Sequence, residues 1–397
     1  MALSQRQLFL QHVGQTSDAP LCFEIERAEN CWLYDSSGKK YLDAIGGISV
    51  ANIGHSNPTV IAASKLQLDK HLHTMVYGEM VVSSQVQYAT ALAQSLDPSL
   101  NCVFFTNSGA EATEGAMKLA KRYTGRSKII ACNNSYHGSS QGALSLIGSE
   151  YWRDMYRPLL PDIWHYDYNS TALVDAIDEQ TAAVFIELVQ AESGVMAAQQ
   201  TWVDAIRKKC TSCGALLVVD EAQTGFGRTG TMWAMQQYNV VPDIVLLAKA
   251  LGGGMPLGAF VADAKLMQVL TVNPVLGHIS TFGGHPLSCA AGLAAMQVLQ
   301  QDNLIAEVDA KGQYLEDKIK ALGIECYTCK GLWMGIFFKD YETNKRIVDT
   351  CIELGVFTDW FLFASNALRI SPPLSISYAE LDYLADVIGK AVDKILN

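Results

Sequence analysis

The chain has 397 residues, of which 49% are hydrophobic and only 17% are charged. A disordered chain combines low hydrophobicity with high charge, so this composition excludes a disordered chain and indicates a globular protein. The length predicts two or three domains. The formal net charge is −11, and no cluster of Lys and Arg provides the basic surface typical of nucleic-acid binding.

Short apolar runs that alternate with helical patterns predict most of the secondary structure. The N-terminus shows no basic segment followed by a long apolar core, so we expect no signal peptide and a cytoplasmic location. Two short strands should flank the turn around Gly38. The elements expected after residue 80 are, in chain order, strand 101–106, helix 111–121, strands 128–132 and 182–186, helix 202–210, strands 215–219, 244–248 and 258–262, and helix 286–301.

This alternation predicts an α/β fold with a mostly parallel sheet that is covered by helices on both faces. The last hundred or so residues alternate differently and predict a smaller α+β domain. We therefore expect an N-terminal segment at 1–45 that packs with the small domain, a large domain at 46–304, and a small domain at 305–397.

The most apolar stretch, between Asp243 and Asp263, resembles a membrane span in hydropathy. It contains Lys249, three consecutive glycines and Pro256, a combination that a lipid-exposed helix tolerates poorly. We predict a buried strand, a glycine-rich turn and a second strand, and no membrane contact.

The ten cysteines include two pairs with zinc-like spacing, Cys210–Cys213 and Cys326–Cys329. The pairs lie more than a hundred residues apart and lack the glycine pattern of a zinc knuckle, and a chain of this size does not need disulfides for stability. We expect free thiols in a reducing compartment and no bound metal.

Polar residues follow several of the predicted strands, namely Asn107, Glu187, Asp220 and Lys249. In open α/β sheets, ligands bind beyond the carboxyl ends of the strands. The sequence therefore predicts a functional site at this edge of the sheet.

Two of these positions allow more than one interpretation. Ser108 and Gly109 begin a helix, where free N–H groups favour an anion, but Ser108 with Glu111 also fits an ordinary capping box. Lys249 leaves a buried strand and could lose its proton and attack an aldehyde. A lysine that reaches to solvent from a strand end is the alternative.

The segment Gly225–Gly230 matches the G-x-G-x-x-G pattern of dinucleotide-binding proteins. That motif needs a strand directly before its first glycine and a helix that opens within it. Here five residues separate the predicted strand from Gly225, so we expect no nicotinamide cofactor.

Taken together, the sequence resembles the class III aminotransferases, a pyridoxal-phosphate family of fold type I that includes ornithine, acetylornithine and 4-aminobutyrate transaminases. The segments that match in order are 42–49, 54–58, 104–112, 135–138, 220–230, 247–254 and 280–286. The resemblance implies a large α/β domain, a smaller α+β domain and bound pyridoxal 5′-phosphate.

The resemblance also implies roles around the cofactor ring. Lys249 would bind the cofactor aldehyde as a Schiff base and then move the substrate proton. Asp220 would pair with the pyridine nitrogen and Gln223 with the phenolic oxygen, while Ala222 and Tyr136 would pack on opposite faces of the ring.

Further residues would bind the phosphate and the substrates. The amides of Gly109 and Ala110 would bind the phosphate, and Thr281 would reach it from the partner subunit of a homodimer. Glu187 would support the site. Arg369 would bind a substrate carboxylate, and Glu192 would pair with Arg369 when no carboxylate is present.

The implied reaction moves an amino group from an amino acid or ω-amine donor to a 2-oxo acid, 2-oxoglutarate or pyruvate, by a ping-pong mechanism. Racemisation, decarboxylation or intramolecular amino transfer on the same fold remains an alternative, and a non-catalytic binding protein would be expected to lack Lys249 or Asp220. Ornithine and acetylornithine enzymes follow their His-Gly with Arg, whereas this chain has Ser139. A donor with a different or absent distal carboxylate is therefore expected.

Overall fold

A computed structural model describes residues 3–396. The strands are β1 Arg27–Glu29, β2 Trp32–Tyr34, β3 Lys40–Asp43, β4 Cys102–Thr106, β5 Lys128–Cys132, β6 Ile163–Tyr166, β7 Thr181–Glu187, β8 Val189–Gln190, β9 Met196–Ala197, β10 Leu216–Asp220, β11 Ile244–Leu247, β12 Gly258–Ala262, β13 Tyr327–Cys329, β14 Met334–Phe337, β15 Val356–Phe357 and β16 Ala367–Ile370.

The helices cover both faces of the sheet and the two ends of the chain. They are α1 Gln5–His12, α2 Gly46–Ser49, α3 Pro58–Lys70, α4 Ser83–Ser95, α5 Gly109–Thr124, α6 Gln141–Ser145, α7 Glu150–Arg153, α8 Thr171–Asp175, α9 Gln200–Cys213, α10 Ala234–Gln237, α11 Ala264–Met267, α12 Pro286–Gln301, α13 Val308–Ala321, α14 Tyr341–Glu353 and α15 Tyr378–Leu396.

Within residues 3–396, seven strands form the central sheet in the order β4-β12-β11-β10-β7-β5-β6. Strand β12 is antiparallel to both of its neighbours and the remaining pairs are parallel. Every residue of β7, β10, β11 and β12 is buried, as expected for strands covered on both faces. The predicted α/β fold with a mostly parallel sheet is confirmed.

The register of the central strands brings their carboxyl ends to one edge. Asp220 at the end of β10 lies opposite Glu187 at the end of β7. Thr106 at the end of β4 lies opposite Gly258, the first residue of antiparallel β12. The polar residues that follow these strands therefore start from the same edge of the sheet.

The chain ends meet in a second region. Strand β3 pairs with β2 around the predicted turn, and its other edge pairs in parallel with β15 near the C-terminus. A separate antiparallel sheet has the order β13-β14-β16. This pairing places the N-terminal strands beside the C-terminal part of the chain, while the domain boundaries at 45 and 304 remain predictions.

The apolar stretch 243–263 contains β11 and β12, as predicted. The turn between them begins with a short 3₁₀ helix at Lys249–Gly252, which the sequence analysis did not predict. Across residues 3–396, every helix is too short or too polar to cross a bilayer.

Candidate active site

The residues that follow the central strands surround one cavity of about 470 Å³, a size typical of small-molecule sites. Its wall includes Gly109, Tyr136, Asp220, Ala222 and Lys249. A small adjoining chamber shares Tyr136, Asp220, Ala222 and Lys249 with the cavity. The chamber is completed by Glu187, Val189, Ala191, Glu192, Gln223 and Thr224.

Lys249 lies where β11 ends and the chain turns toward the cavity. Its φ angle is +53°, in the left-handed region that a residue with a Cβ adopts at a cost of about 1 kcal/mol or more. Such strain persists where the surrounding structure enforces it, and it is concentrated at functional sites. The turn presents the half-buried Lys249 side chain to the cavity and to the chamber together.

Asp220 is buried and has two polar contacts. Its Oδ1 accepts a hydrogen bond from the Ala222 N–H at 2.9 Å, and its Oδ2 lies 2.8 Å from Nδ1 of the buried His137. Burial lowers the pKa of His137, but the hydrogen bond and charge of Asp220 outweigh that effect and raise it. His137 therefore holds the Asp220 carboxylate in one orientation. His137 lies in the matching segment 135–138, but no role was expected for it.

Glu187 is buried beside this pair. Its two oxygens accept hydrogen bonds from the backbone N–H groups of Tyr136, at 3.3 Å, and Ala191, at 3.1 Å. Burial raises the pKa of Glu187 to about 7, with a further increase from Asp220 and an opposing effect from His137. Glu187 thus joins the backbone of the Tyr136 loop to the loop after β8.

The start of α5 is capped by Ser108, but the predicted capping box with Glu111 is absent. Ser108 is the N-cap, and its Oγ accepts a hydrogen bond from the Glu111 N–H at 3.2 Å. The Glu111 carboxylate bonds the backbone N–H of Asn107, so a capping box with Ser108 does not form. Within the described residues, the N–H groups of Gly109 and Ala110 have no acceptor, and both residues line the cavity.

Gly138 closes over this helix start. Its φ angle is +125°, and a Cβ placed there would lie 2.6 Å from the Ala110 Cβ. Only glycine allows this approach. The backbone around Ala110 and Gly138 thereby forms a narrow wall beside the free amides.

The remaining residues expected to contact a cofactor ring lie close by. Ala222 follows Asp220 in the wall of the cavity, and the buried Gln223 donates from Nε2 to the Ser49 hydroxyl at 3.3 Å. The Tyr136 hydroxyl lies 2.9 Å from the Ser139 hydroxyl. Thr281 is exposed in the loop before α12 and is not among the residues that line the cavity.

Arg369 lies in the middle of β16 and is almost completely buried. Its Nη1 and Nη2 donate to the two carboxylate oxygens of Glu192, each at 2.9 Å. Bidentate pairs of this kind are the strong form of the arginine–carboxylate contact. The Glu192 side chain separates Arg369 from the chamber that Glu192 lines.

A second carboxylate, Asp359, contacts the same guanidinium and was not predicted. Asp359 Oδ1 lies 3.0 Å from Arg369 Nε, Arg369 Nη2 also donates to the Trp360 carbonyl at 2.9 Å, and the Phe361 ring stacks below it with its centroid 4.6 Å from Cζ. Burial raises the pKa of Asp359 to about 6, although the charge of Arg369 opposes the increase. The backbone pairing of Asp359 with Arg369 explains their proximity.

These features fit pyridoxal 5′-phosphate. Its phosphate needs N–H donors at a helix start, which the free amides of Gly109 and Ala110 provide. Its aldehyde needs a primary amine and its ring nitrogen a carboxylate, and Lys249 and Asp220 line the same cavity.

Other binding motifs find no such support. The segment Gly225–Gly230 forms turns instead of a strand–helix junction, and Arg228 within it is buried and donates to the carbonyls of Leu332 and Pro372 and to Asn52. Among the described residues, no cluster of three or more His, Cys, Asp or Glu side chains suits a metal ion. Each of the ten cysteines is a free thiol.

Comparisons with known proteins agree with this geometry. Residues 13–392 match the family model of class-III aminotransferases. An acetylornithine aminotransferase from Archaeoglobus fulgidus is 37% identical over 374 residues, which cover 94% of each chain.

Solved structures of transaminases share the whole fold. An ornithine aminotransferase from Toxoplasma gondii superposes with a TM-score of 0.90 at 28% identity, covering 99% of this chain and 96% of that one. An (S)-enantioselective omega-transaminase from Thermomicrobium roseum gives a TM-score of 0.90 at 27% identity, covering 98% and 97%.

Proposed function

Because the chain belongs to the class III aminotransferase family, we propose that the cavity around Lys249 is where it exchanges amino groups between an amine donor and a 2-oxo acid. The family depends on pyridoxal phosphate, and amino transfer is favoured over racemisation or decarboxylation. The donor is an amino acid or ω-amine, and the acceptor is pyruvate or 2-oxoglutarate.

When bound, pyridoxal phosphate supplies an electron sink for the negative charge that develops at the substrate Cα. The chain's own residues would do the rest. Lys249 would attach the cofactor and then accept the proton from the substrate Cα. Asp220, held by His137, would place a negative charge at the ring nitrogen, and the amides of Gly109 and Ala110 would bind the phosphate.

Arg369 and Glu192 would allow one site to accept two different substrates. Glu192 neutralises the guanidinium when the amine donor brings no carboxylate to this position. When a 2-oxo acid enters, its carboxylate takes the place of Glu192 on Nη1 and Nη2. The bidentate geometry at 2.9 Å supports this proposal, because a carboxylate of the substrate can reproduce both contacts.

The strained Lys249 in one cavity with Asp220 is the observation on which the proposal chiefly rests. The test is product analysis with a panel of amines and either pyruvate or 2-oxoglutarate. We expect a new amino acid to form from the 2-oxo acid in equal amount to the amine consumed. Release of CO₂ or loss of optical activity without a new amino acid would contradict amino transfer.

We further propose a homodimer, to which Thr281 contributes across the interface, in the cytoplasm. The segment after α3 and the loop before α12 expose large apolar side chains, and the rings of His73 and Phe282 join them at 4.8 Å. Exposed apolar patches of this kind mark protein interfaces. The exposed fractions are Val81 92%, Val275 71%, Leu72 64%, Phe282 54%, Met80 51% and Ile279 49%. The free thiols of the ten cysteines support the location.

A further inference from the structure

The charges around the cavity limit which 2-oxo acid can serve as the acceptor. We propose that the acceptor is a 2-oxo acid with a single carboxylate, such as pyruvate, and that Ser139 and Asp359 disfavour an acceptor with a second carboxylate. This inference rests on the proposed function of Arg369.

The lining of the cavity and the chamber is acidic. In the described part of the chain, Lys249 is the one Lys or Arg among the lining residues, against the carboxylates of Glu187, Glu192 and Asp220. The lining also contains His137, which is already paired with Asp220. The proposed phosphate site uses backbone amides and therefore contributes no cation that could bind a second carboxylate. Within one subunit, a second substrate carboxylate would therefore enter the site without a basic side chain to pair with.

The positive charge of Arg369 is already neutralised and cannot balance a second substrate carboxylate. Glu192 neutralises its Nη1 and Nη2 edge, and Asp359 lies 3.0 Å from Nε. The three groups together have a net charge of −1. Exchange of Glu192 for one substrate carboxylate leaves that value at the guanidinium unchanged, because one carboxylate replaces another.

A dicarboxylate would add one more negative charge to the same volume. Uncompensated charge in a partly desolvated site is strongly unfavourable. Arg228 is another buried cation, but its guanidinium donates to two carbonyls and Asn52. The Arg228 guanidinium therefore stabilises the fold and is not available to bind a substrate carboxylate.

Ser139 is the position in the cavity wall where a cation could have met a distal carboxylate. Its short side chain lies 2.9 Å from the Tyr136 hydroxyl, and the next residue, Ser140, donates to Glu114 at 2.6 Å. Both side chains are neutral. The wall can accept an uncharged substituent of the acceptor but offers a second carboxylate only hydroxyl groups.

The test uses protein loaded with pyridoxamine 5′-phosphate, so that the unidentified donor is not needed. Single-turnover rates are measured at pH 8 with pyruvate and with 2-oxoglutarate, from the return of the visible cofactor absorption. We expect the second-order rate constant for pyruvate to exceed that for 2-oxoglutarate about 10-fold or more.

A binding measurement without turnover accompanies the kinetics. Propanoate and glutarate lack the 2-oxo group and cannot react, so they are titrated into protein loaded with pyridoxal phosphate while its spectrum is followed. We expect the dissociation constant of glutarate to be about 10-fold higher, or more, for the same electrostatic reason.

Two substitutions, one of them with a matched control, locate the effect. Ser139→Arg should raise the rate with 2-oxoglutarate relative to pyruvate about 10-fold, whereas Ser139→Gln, similar in length but neutral, should not. Asp359→Asn removes one negative charge at nearly constant volume and should shift the same ratio toward 2-oxoglutarate about threefold or more.

The outcomes separate this inference from the function on which it rests. Equal or faster reaction with 2-oxoglutarate in the unmodified protein would overturn the inference and leave amino transfer intact. Equal effects of Ser139→Arg and Ser139→Gln would also overturn it. If neither acceptor reacts with the loaded protein, the proposed function itself fails.

Discussion

At the scale of single residues, substitution of Arg369 most directly tests the proposal that one site accepts two different substrates. Arg369→Ala should slow the half-reaction with the 2-oxo acid about 100-fold, because the buried charge pair with the substrate is lost. The half-reaction with a carboxylate-free amine should change far less. Arg369→Lys should restore little, since an ammonium cannot make the bidentate contact. Equal losses in both half-reactions, measured separately, would remove Arg369 from this role.

Glu187 provides a prediction about pH. Its pKa is about 7 in the folded chain against an ordinary value of 4.5, so between these values the folded state binds more protons than the unfolded state. The free energy of unfolding must then fall as pH rises across this interval, by about 3 kcal/mol at most from this group.

Glu187→Gln removes this group's contribution to the fall in the free energy of unfolding with rising pH. We compare the melting temperatures of the cofactor-free variant and the cofactor-free unmodified protein. We expect the variant's melting temperature minus that of the unmodified protein to be more positive at pH 8 than at pH 5. Glu179→Gln, at an exposed position, is the control and should show no such difference. A Glu187→Gln difference that is the same at both pH values would mean that Glu187 is ionised normally in the fold.

The position of a residue at the edge of the sheet could be predicted where that residue follows a strand, whereas contacts that join distant segments could not. Lys249, Asp220 and Glu187 follow or end buried apolar strands, a pattern visible in the sequence, and the structure places all three around the small chamber that adjoins the cavity. The contact between His137 and Asp220 depends on the relative placement of the loops after β5 and β10. The sequence shows no sign of that distance, and the same holds for Asp359 beside Arg369.

At the scale of elements, the loop after β5 and the start of α5 form the proposed phosphate site together. Gly138→Ala would push a methyl group into Ala110 at 2.6 Å, so the helix start or the loop must move. We expect the dissociation constant for pyridoxal phosphate to rise about 10-fold or more.

Gly125→Ala is the matched control for this substitution. Gly125 also has a positive φ, of +68°, but no atom lies within 4 Å of the added Cβ. Gly125 follows the last residue of α5. Gly125→Ala therefore introduces backbone strain at the same helix without a contact like that between Gly138→Ala and Ala110. If both variants bind the cofactor with equal affinity, the Gly138 wall does not shape the phosphate site.

The elements of the central sheet were predictable because each strand is short, apolar and bounded by polar residues. Strand β6 was missed because its residues are only partly buried and the pattern of Ile163–Tyr166 shows no apolar run. The short 3₁₀ helix at Lys249 was missed because its positive φ arises from the packing around the site. Neither feature has a local sequence signal.

At the scale of the whole molecule, the proposed homodimer should share its sites between subunits. Lys249→Ala and Thr281→Ala protomers are each expected to be inactive or strongly impaired as homodimers. A mixed dimer would have one site with both defects and one intact site. After random exchange of subunits we expect about one-quarter of the unmodified activity to return. A fully active monomer at assay concentration, observed by sedimentation, would contradict the shared site.

The central claim is that Lys249 and its cavity move an amino group between two substrates in separate steps. The most direct measurement is the visible absorption of the protein loaded with pyridoxal phosphate, followed first on adding an amine donor and then on adding pyruvate after the donor is removed. We expect the band to disappear with the amine and to return with the 2-oxo acid. We also expect that Lys249→Ala, folded and with cofactor bound, completes no such cycle. A full cycle at an unchanged rate in Lys249→Ala would contradict it.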